Sequence, residues 1–308
     1  MNNKETIGFV GLGNMGPPMA RCLAKAGHGV MLYDLRRAAS EALAKDEDRF
    51  RIAADAAALG QACDVVITML PDSDAVRQAV LGGEGRQVGG RPGFAGTLAR
   101  GALVIDMSSS APLATRALGA ALRGLGVDLI DAPVSGGVPR AHDGSLTIMA
   151  GGDAALVDRA EPILSAMGTV VRTGPLGSGH AMKALNNFVS AAGLLAVCEA
   201  LIVAERFGLD PRIMNEVLKA STGRNNTTDN KVERYLLPRA FESGFALELM
   251  RKDVGMAKTL AEDIGLDAPW LRACCALLDE ATRGLEAGAD HTAAFAYLER
   301  RLTESAKA

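Results

Sequence analysis

The chain has 308 residues, 48% of them hydrophobic and 22% charged, with a net charge of −3. Such a composition builds a full-sized core and excludes a disordered chain, and the length suits two domains. The slight acidity removes the electrostatic footprint of a nucleic-acid-binding protein, so no nucleic-acid partner is expected.

The N-terminus, MNNKETIGFVG, lacks the basic head, long apolar run and small-residue cleavage site of a signal peptide. Its TIGFVG is strand-like, and NMGPPMARCLAKAG reads as a helix that tolerates Pro17 and Pro18 in its first turn. VMLYD follows as a strand and RRAASEALAK as a helix. DVVITML and ALVIDM are continuous apolar runs between turn signals, as strands buried on both faces are. Between them, residues 81–101 are rich in glycine and positive charge, and are expected to form a surface loop or insertion. VDLIDAPV, SLTIMA and TVVRTG complete the strands, with the helical AALVDRAEPILSAMG before the last. This alternation predicts an α/β fold, a Rossmann-type doubly wound, mostly parallel sheet.

After Gly174 the strand patterns stop and helical periodicity runs to the C-terminus, with Gly208, Gly265 and Gly284 as stops. The predicted organisation is a doubly wound α/β domain over 1–174 and an all-α C-terminal domain over 175–308. A long interdomain helix, from about Ser178 to Phe207, opens the second domain and is ~45 Å long at 1.5 Å per residue. Such a helix outruns one small domain, so a homo-dimer or homo-tetramer is expected. Ala184–Ala204 is long enough to cross a bilayer, but it carries Asn186, Asn187, Ser190 and Glu199. It is read as a buried helix of a soluble, membrane-free protein. Cys22, Cys63, Cys198, Cys274 and Cys275 show no CxxC spacing and lie in apolar segments, as core thiols of a reducing cytoplasm do. The four histidines are scattered, so no metal site is expected.

Two constellations carry chemistry. The first is Gly11-Leu12-Gly13-Asn14-Met15-Gly16, a GxGxxG that follows the first strand and opens a helix. The first glycine makes the tight turn, the second lets backbone approach a pyrophosphate, and the third allows helix–strand packing. The diphosphate would rest on the helix N-terminus, where amides and the dipole favour an anion. Asp34 closes VMLYD about 20 residues on, where a carboxylate holds the ribose hydroxyls. It favours NAD; Arg36 and Arg37 directly after it are able to accept the 2′-phosphate of NADP, so dual use stays open.

The second is a polar stripe. His180, Lys183, Asn187 and Ser190 fall on one helix face, and Met182, Leu185, Phe188, Val189 and Ala192 take the other sides. A narrow polar stripe on an apolar helix lines a cavity. Lys183 either snorkels to the surface or works as a proton donor and acceptor, its pKa lowered by desolvation and nearby positive charge. A carbonyl reduced by hydride needs a proton on its oxygen, and Asn187, one turn on, can hold that oxygen or the lysine amine. His180 reads equally as a wall residue or a group that caps the helix start.

With these motifs in place the sequence resembles the β-hydroxyacid dehydrogenases, a family that includes 3-hydroxyisobutyrate dehydrogenase and tartronate semialdehyde reductase. GFVGLGNMGPPMARCLAKAGH is similar to the family's N-terminal signature and DAPVSGG (131–137) to its substrate loop. GPLGSGHAMKALNN is similar to its catalytic segment, and FALELMRKDVGMA (245–257) to the late motif that closes over the cofactor. The resemblance implies an oxidoreductase that moves hydride between NAD(P) and a small β-hydroxy acid or its semialdehyde. Lys183 would be the general acid in reduction and the general base in oxidation. Ser135, Gly136 and Gly137 would bind the carboxylate of a small carboxylic acid through backbone and hydroxyl donors, and Asn187 would anchor the substrate. Leu70, Pro71 and Ser109 would line the cofactor, Ser109 being preferred over Thr97 on the nicotinamide side. Lys252 would reach the cofactor or close the cleft, with Asp253 beside it.

The chain departs from the 3-hydroxyisobutyrate pattern at STGRNNTTDN (221–230), where Asn225 and Asn226 replace an expected aromatic wall. Together with Arg140 after the substrate loop, they suggest a more polar or hydroxylated substrate; a plain inter-helix turn is the other reading. Two further functions share the architecture: a non-catalytic dinucleotide-binding module, and an imine reductase, which usually lacks the lysine. Decarboxylation in the manner of 6-phosphogluconate dehydrogenase is disfavoured by the short C-terminal half.

Overall fold

Among the described residues nine short strands form one sheet: β1 (Ile7–Val10), β2 (Val30–Tyr33), β3 (Phe50–Ile52), β4 (Val65–Thr68), β5 (Leu103–Asp106), β6 (Asp128–Asp131), β7 (Val134–Ser135), β8 (Leu146–Gly151) and β9 (Gly168–Gly174). Their order is β3-β2-β1-β4-β5-β6-β8-β7, with β9 also on β8. The computed structural model describes residues 5–83 and 93–305. Residues 84–92 of the predicted insertion lie outside the described residues.

Pairing is parallel from β3 through β6, and β8 runs antiparallel to β6 and β7. The apolar runs alternate between two faces. Ile7, Phe9, Ile67, Leu103 and Ile105 point into one core cluster, while Val10, Val66, Val104 and Leu129 point into another. Helices cover both faces: α1 (Gly16–Lys25), α2 (Arg37–Leu43), α3 (Ala56–Ala62), α4 (Ser73–Leu81), α5 (Pro112–Leu125), α6 (Gly137–Asp143) and α7 (Ala154–Leu164). That is why the strands read as unbroken hydrophobic segments rather than alternating ones. The two-residue β7 and the seven residues of α6 are too short for a periodicity to announce them.

The second half is helical: α8 (Ser178–Phe207), α9 (Pro211–Ala220), α10 (Asn226–Asn230), α11 (Leu247–Asp263), α12 (Pro269–Gly284) and α13 (Ala294–Ser305). The chain folds as two compact units, 1–183 and 184–308. The fold is thus a Rossmann-type, mostly parallel sheet followed by an all-α domain. In the second unit α8 contributes Leu194, Leu195, Cys198, Leu201 and Ile202 to a core shared with Met250 and Val254 of α11 and Leu278 of α12. By length and composition α8 qualifies as a membrane span, with a mean hydropathy of 1.9 in its best window, half of which is buried inside the protein.

All five cysteines are free thiols. Burial pushes the Cys63 thiol up to about 12 and the Cys274 thiol to about 11, which keeps both protonated and inert.

Candidate active site

The glycine loop lies between the carboxyl end of β1 and the start of α1, where the strand order reverses between β1 and β4. Open α/β sheets bind ligands in the crevice at that point. Gly11 has φ +99°, and a Cβ there would lie 2.3 Å from the Met69 carbonyl oxygen. A Cβ on Gly16 would lie 2.1 Å from the Gly11 carbonyl oxygen. Gly13 is different: nothing lies within 4 Å of its Cβ position. The first and third glycines are therefore required by the protein's own packing, and the second leaves space over the loop. Pro17 and Pro18 carry no N–H, so amides for an anion at this helix start come from residues 13–16.

Asp34 sits at the end of β2 and closes onto the loop. Its Oδ2 accepts from the Leu12 backbone N–H at 2.7 Å, and its Oδ1 from the Arg36 N–H at 2.8 Å. The Arg36 guanidinium lies 3.5 Å from the same carboxylate. The carboxylate is thus fixed beside the glycine turn. At the end of β4, Leu70 donates its N–H to Ser108 Oγ at 2.9 Å, tying the Leu70–Pro71 turn to the Ser108–Ser110 loop that holds Ser109. Thr97 is spent elsewhere: its hydroxyl bonds the Ala57 carbonyl at 3.0 Å and holds a 3₁₀ turn against α3.

Beneath these loops lies a buried polar cluster that the sequence did not announce. Asp106 and Asp131 are register partners at the ends of β5 and β6, both buried. Asp106 accepts from Thr68 Oγ1, the Ser108 N–H and Ser110 Oγ at 2.9, 3.0 and 2.7 Å. Asp131 accepts from the Gly177 N–H at 2.7 Å and the His180 N–H at 2.8 Å, so one carboxylate serves the free amides at the start of α8. Burial pushes the Asp131 carboxyl up, and His180 and these amides pull it back.

The His180 ring is also buried, with Nδ1 at 2.8 Å from Thr115 Oγ1 and Nε2 at 3.1 Å from the Ser108 carbonyl oxygen. A carbonyl only accepts, so Nε2 carries a proton. Both carboxylates stand 3.7 Å from the ring. The imidazole does not cap the helix start: it bonds Thr115 and Ser108, while Asp131 takes the Gly177 and His180 amides. Three residues on, at the end of this unit, Lys183 is half-buried.

The segment over residues 131–137 turns on two glycines of positive φ, Gly136 (φ +132°) and Gly137 (φ +66°), after Ser135 at the edge of β7. Arg140 lies against the first of them, 2.6 Å from where a Cβ would be. In the helical unit, Asn187 donates from Nδ2 to Asp253 Oδ2 at 2.6 Å, and Lys252 Nζ lies 3.6 Å from Asp253 Oδ1. Asp253 is buried, and its adjacent lysine reaches it even though neighbours on a helix diverge. Asn225 caps α10, its Oδ1 accepting from the Thr227 and Thr228 N–H groups at 2.8 and 3.3 Å. Its carbonyl end is committed to that cap, and Asn226 is exposed beside it.

Residues 6–174 match the model of the NAD binding domain of 6-phosphogluconate dehydrogenase, and residues 177–298 the model of the NAD-binding domain of NADP-dependent 3-hydroxyisobutyrate dehydrogenase. The chain is 36% identical over 273 residues to an NAD-dependent L-serine dehydrogenase of Pseudomonas aeruginosa, covering 86% of this chain and 88% of that one. It is 31% identical over 294 residues to 2-hydroxy-3-oxopropionate reductase of Escherichia coli, covering 95% and 97%. The chain belongs to the β-hydroxyacid dehydrogenase family. A solved structure of this family, Mycobacterium tuberculosis 3-hydroxyisobutyrate dehydrogenase with L-serine, superposes with a TM-score of 0.84 at 30% identity, covering 96% of this chain and 99% of that one.

As a β-hydroxyacid dehydrogenase it is an NAD(P)-dependent oxidoreductase acting on hydroxyl groups. The space over Gly13 and the carboxylate of Asp34 beside the turn fit the diphosphate and ribose of such a cofactor. Among the described residues, no three His, Cys, Asp or Glu side chains gather as a metal-ligand set. Sequence reading missed Asp106 and Asp131. The available signal was a carboxylate closing each of two apolar strand runs, ALVID and VDLID, at the same place.

Proposed function

We propose that Lys183 moves the proton in the reversible oxidation of a small, polar β-hydroxy acid, on a chain organised as a dinucleotide domain over 1–174 and a helical domain over 175–308. The bound nicotinamide supplies or accepts the hydride. Lys183 protonates the carbonyl oxygen in reduction and takes the proton back in oxidation. Ser135, Gly136 and Gly137 hold the substrate carboxylate, Asn187 anchors its oxygen, and Leu70, Pro71, Ser109 and Lys252 line the cofactor beside the loop of residues 11–16. Asp34 favours NAD, since its carboxylate repels a 2′-phosphate. The enzyme works as a homo-oligomer in the cytoplasm, in keeping with five unpaired thiols.

One observation supports the lysine's role above the others. The turn of α8 just before Lys183 is anchored by Asp131 and His180, both buried, and general catalysis needs a group held to within fractions of an ångström. The Lys183→Ala variant should keep NAD binding, read by fluorescence quenching, and lose about 10²–10⁴-fold in kcat. A loss below tenfold removes Lys183 from the role.

The polar substrate rests on the relatives rather than on Asn225, whose amide caps a helix. The L-serine dehydrogenase and the 2-hydroxy-3-oxopropionate reductase both carry hydroxylated acids in their names. Initial rates on L-serine, glycerate, tartronate semialdehyde and 3-hydroxyisobutyrate should favour one of the first three in kcat/KM by about tenfold or more, the scale of one buried polar contact. Preference for the methyl-branched acid overturns it.

A further inference from the structure

Ser108, Ser109 and Ser110 are identical neighbours, yet the fold treats the middle one differently. Ser108 and Ser110 are buried, and Ser109 between them is half-buried. Ser108 is engaged at three atoms. Its N–H donates to Asp106 Oδ1 at 3.0 Å, its Oγ accepts from the Leu70 N–H at 2.9 Å, and its carbonyl oxygen accepts from His180 Nε2 at 3.1 Å. Ser110 donates its hydroxyl to Asp106 Oδ2 at 2.7 Å, and Ala111 after it donates its N–H to Ser73 Oγ at 2.8 Å. The loop is therefore stitched twice to the segment that follows β4, once at Leu70 and once at Ser73. Ser109 lies between the stitches.

Asp106 is the centre of this arrangement. It is 1% exposed, and a carboxylate is costly to bury unless donors satisfy it. Thr68, its register partner on β4, supplies one donor at 2.9 Å, and the loop supplies the other two. An apolar residue would fill the end of β5 as well. What the carboxylate adds is direction, a fixed path for the residues that follow it.

The place of the loop in the sheet tells which half of a dinucleotide it meets. Such a cofactor lies across the switch point, with its diphosphate on the glycine loop after β1. Asp34, the ribose carboxylate, closes β2 on one side of β1, and β4 and β5 lie on the other. The loops after β4 and β5 are thus on the nicotinamide side.

We propose that Asp106 is a positioning residue for hydride transfer, holding Ser109 and the Leu70–Pro71 turn where they orient the nicotinamide. The inference rests on the cofactor-lining roles given above to those three residues. It also divides the work of two adjacent carboxylates. Asp131, the register partner of Asp106 on β6, fixes the turn before Lys183 and so the proton, while Asp106 fixes the loop at the hydride. The bond from His180 to the Ser108 carbonyl joins the two.

Calorimetric titration with NADH and with ADP-ribose, which lacks the nicotinamide, tests this without turnover. Asp106→Ala should bind NADH about tenfold more weakly than the wild-type chain, and ADP-ribose within about twofold of it. Asp106→Asn should recover NADH affinity to within about threefold. Its oxygen still accepts from Thr68 and the Ser108 N–H, and the Ser110 hydroxyl can turn to accept from its amide. Should Asp106→Ala not fold, Ser108→Ala carries the test. It removes only the acceptor of the Leu70 N–H, and should weaken NADH about fivefold with ADP-ribose unchanged. A wild-type chain that binds neither molecule overturns the cofactor-lining roles themselves. Where the wild type binds both, an alanine variant that weakens both alike, or neither, overturns the positioning role and leaves those roles standing. So does an Asp106→Asn variant as weak for NADH as Asp106→Ala.

Discussion

The first turn of α8 and the length that follows it are one continuous helix held by opposite kinds of force. The first turn is fixed by buried polar groups: two backbone amides on Asp131, and an imidazole wedged between Thr115 and the Ser108 carbonyl. The rest is fixed by Leu, Val, Ala and Cys side chains packed on α11 and α12. Apolar packing is non-directional and tolerates small slips, whereas hydrogen bonds to a buried carboxylate define position. The polar anchor stands next to Lys183, where the proposed proton transfer would need precision. The apolar stretch supplies stability.

The strongest way to break this contrast is at Asp131. Asp131→Ala leaves the Gly177 and His180 amides without their acceptor and removes one of two carboxylates facing the buried ring. Loss of one partner from a buried charged network costs about 3–5 kcal/mol. Urea unfolding measures that cost. In the protein that remains folded, kcat should fall about 100-fold, the effect of displacing a catalytic group by about 1 Å. Asp131→Asn, which keeps one accepting oxygen, should lie between. A loss of stability under 1 kcal/mol would show that the first turn is held by packing after all.

Two glycines of the same helix sharpen the contrast with opposite signs. A Cβ on Gly179, in the anchored turn, would lie 2.1 Å from the Met149 carbonyl oxygen and 2.9 Å from Asp131 Oδ2. Neither atom is the end of a flexible chain, so Gly179→Ala should cost about 1–3 kcal/mol by forcing the helix start off the sheet. Gly193, in the apolar stretch, would place its Cβ no closer than 3.5 Å to any neighbour, ordinary contact with Asn225. Gly193→Ala should stabilise by about 0.5–1 kcal/mol, since alanine loses less conformational freedom on entering a helix. Thermal melts of the two variants should move in opposite directions.

What the sequence made legible follows the same division. Periodicity located α8 from Ser178 to Phe207, because thirty residues of helical spacing and a glycine at 208 with φ +96° are local signals. The glycine loop and Asp34 were readable because their spacing along the chain is set by one strand–helix–strand passage. The Asp106–His180–Asp131 cluster was not, since it depends on the register of β5 with β6 and on how closely α8 approaches their ends. His180 illustrates the limit. It shares a helix face with Lys183, yet its surroundings are decided by Gly151 and Gly179, whose lack of a side chain lets that face press onto the sheet. Asn225 illustrates the converse, a polar residue that suggested a pocket wall and proves to cap the start of a five-residue helix.

The most diagnostic effect compares Asp131 with a half-buried carboxylate of the helical unit, Asp290. Asp290 is also desolvated, yet its hydrogen bonds from His291, Thr292 and Ser243 outweigh burial and hold its carboxyl well below the usual range. It accepts as well from the Gly244 N–H at 2.8 Å. Asp290 therefore binds a proton less readily folded than unfolded, and its ionised form supports the fold. That contribution is complete above the unfolded value of about 3.9 and is lost as the pH falls from there towards the folded value. Asp131 is shifted the other way, so its contribution is complete below about 3.9 and is lost as the pH rises through its folded value. Asp290→Asn keeps one acceptor and should cost about 1 kcal/mol at pH 7. Urea midpoints between pH 3 and 7 should show the gap between wild type and Asp290→Asn narrowing at the acid end, while the gap to Asp131→Asn widens as the pH falls from neutral. Parallel pH profiles for the two variants would mean that both carboxylates are held in the same way, and the division between a polar anchor and an apolar shaft would lose its electrostatic support.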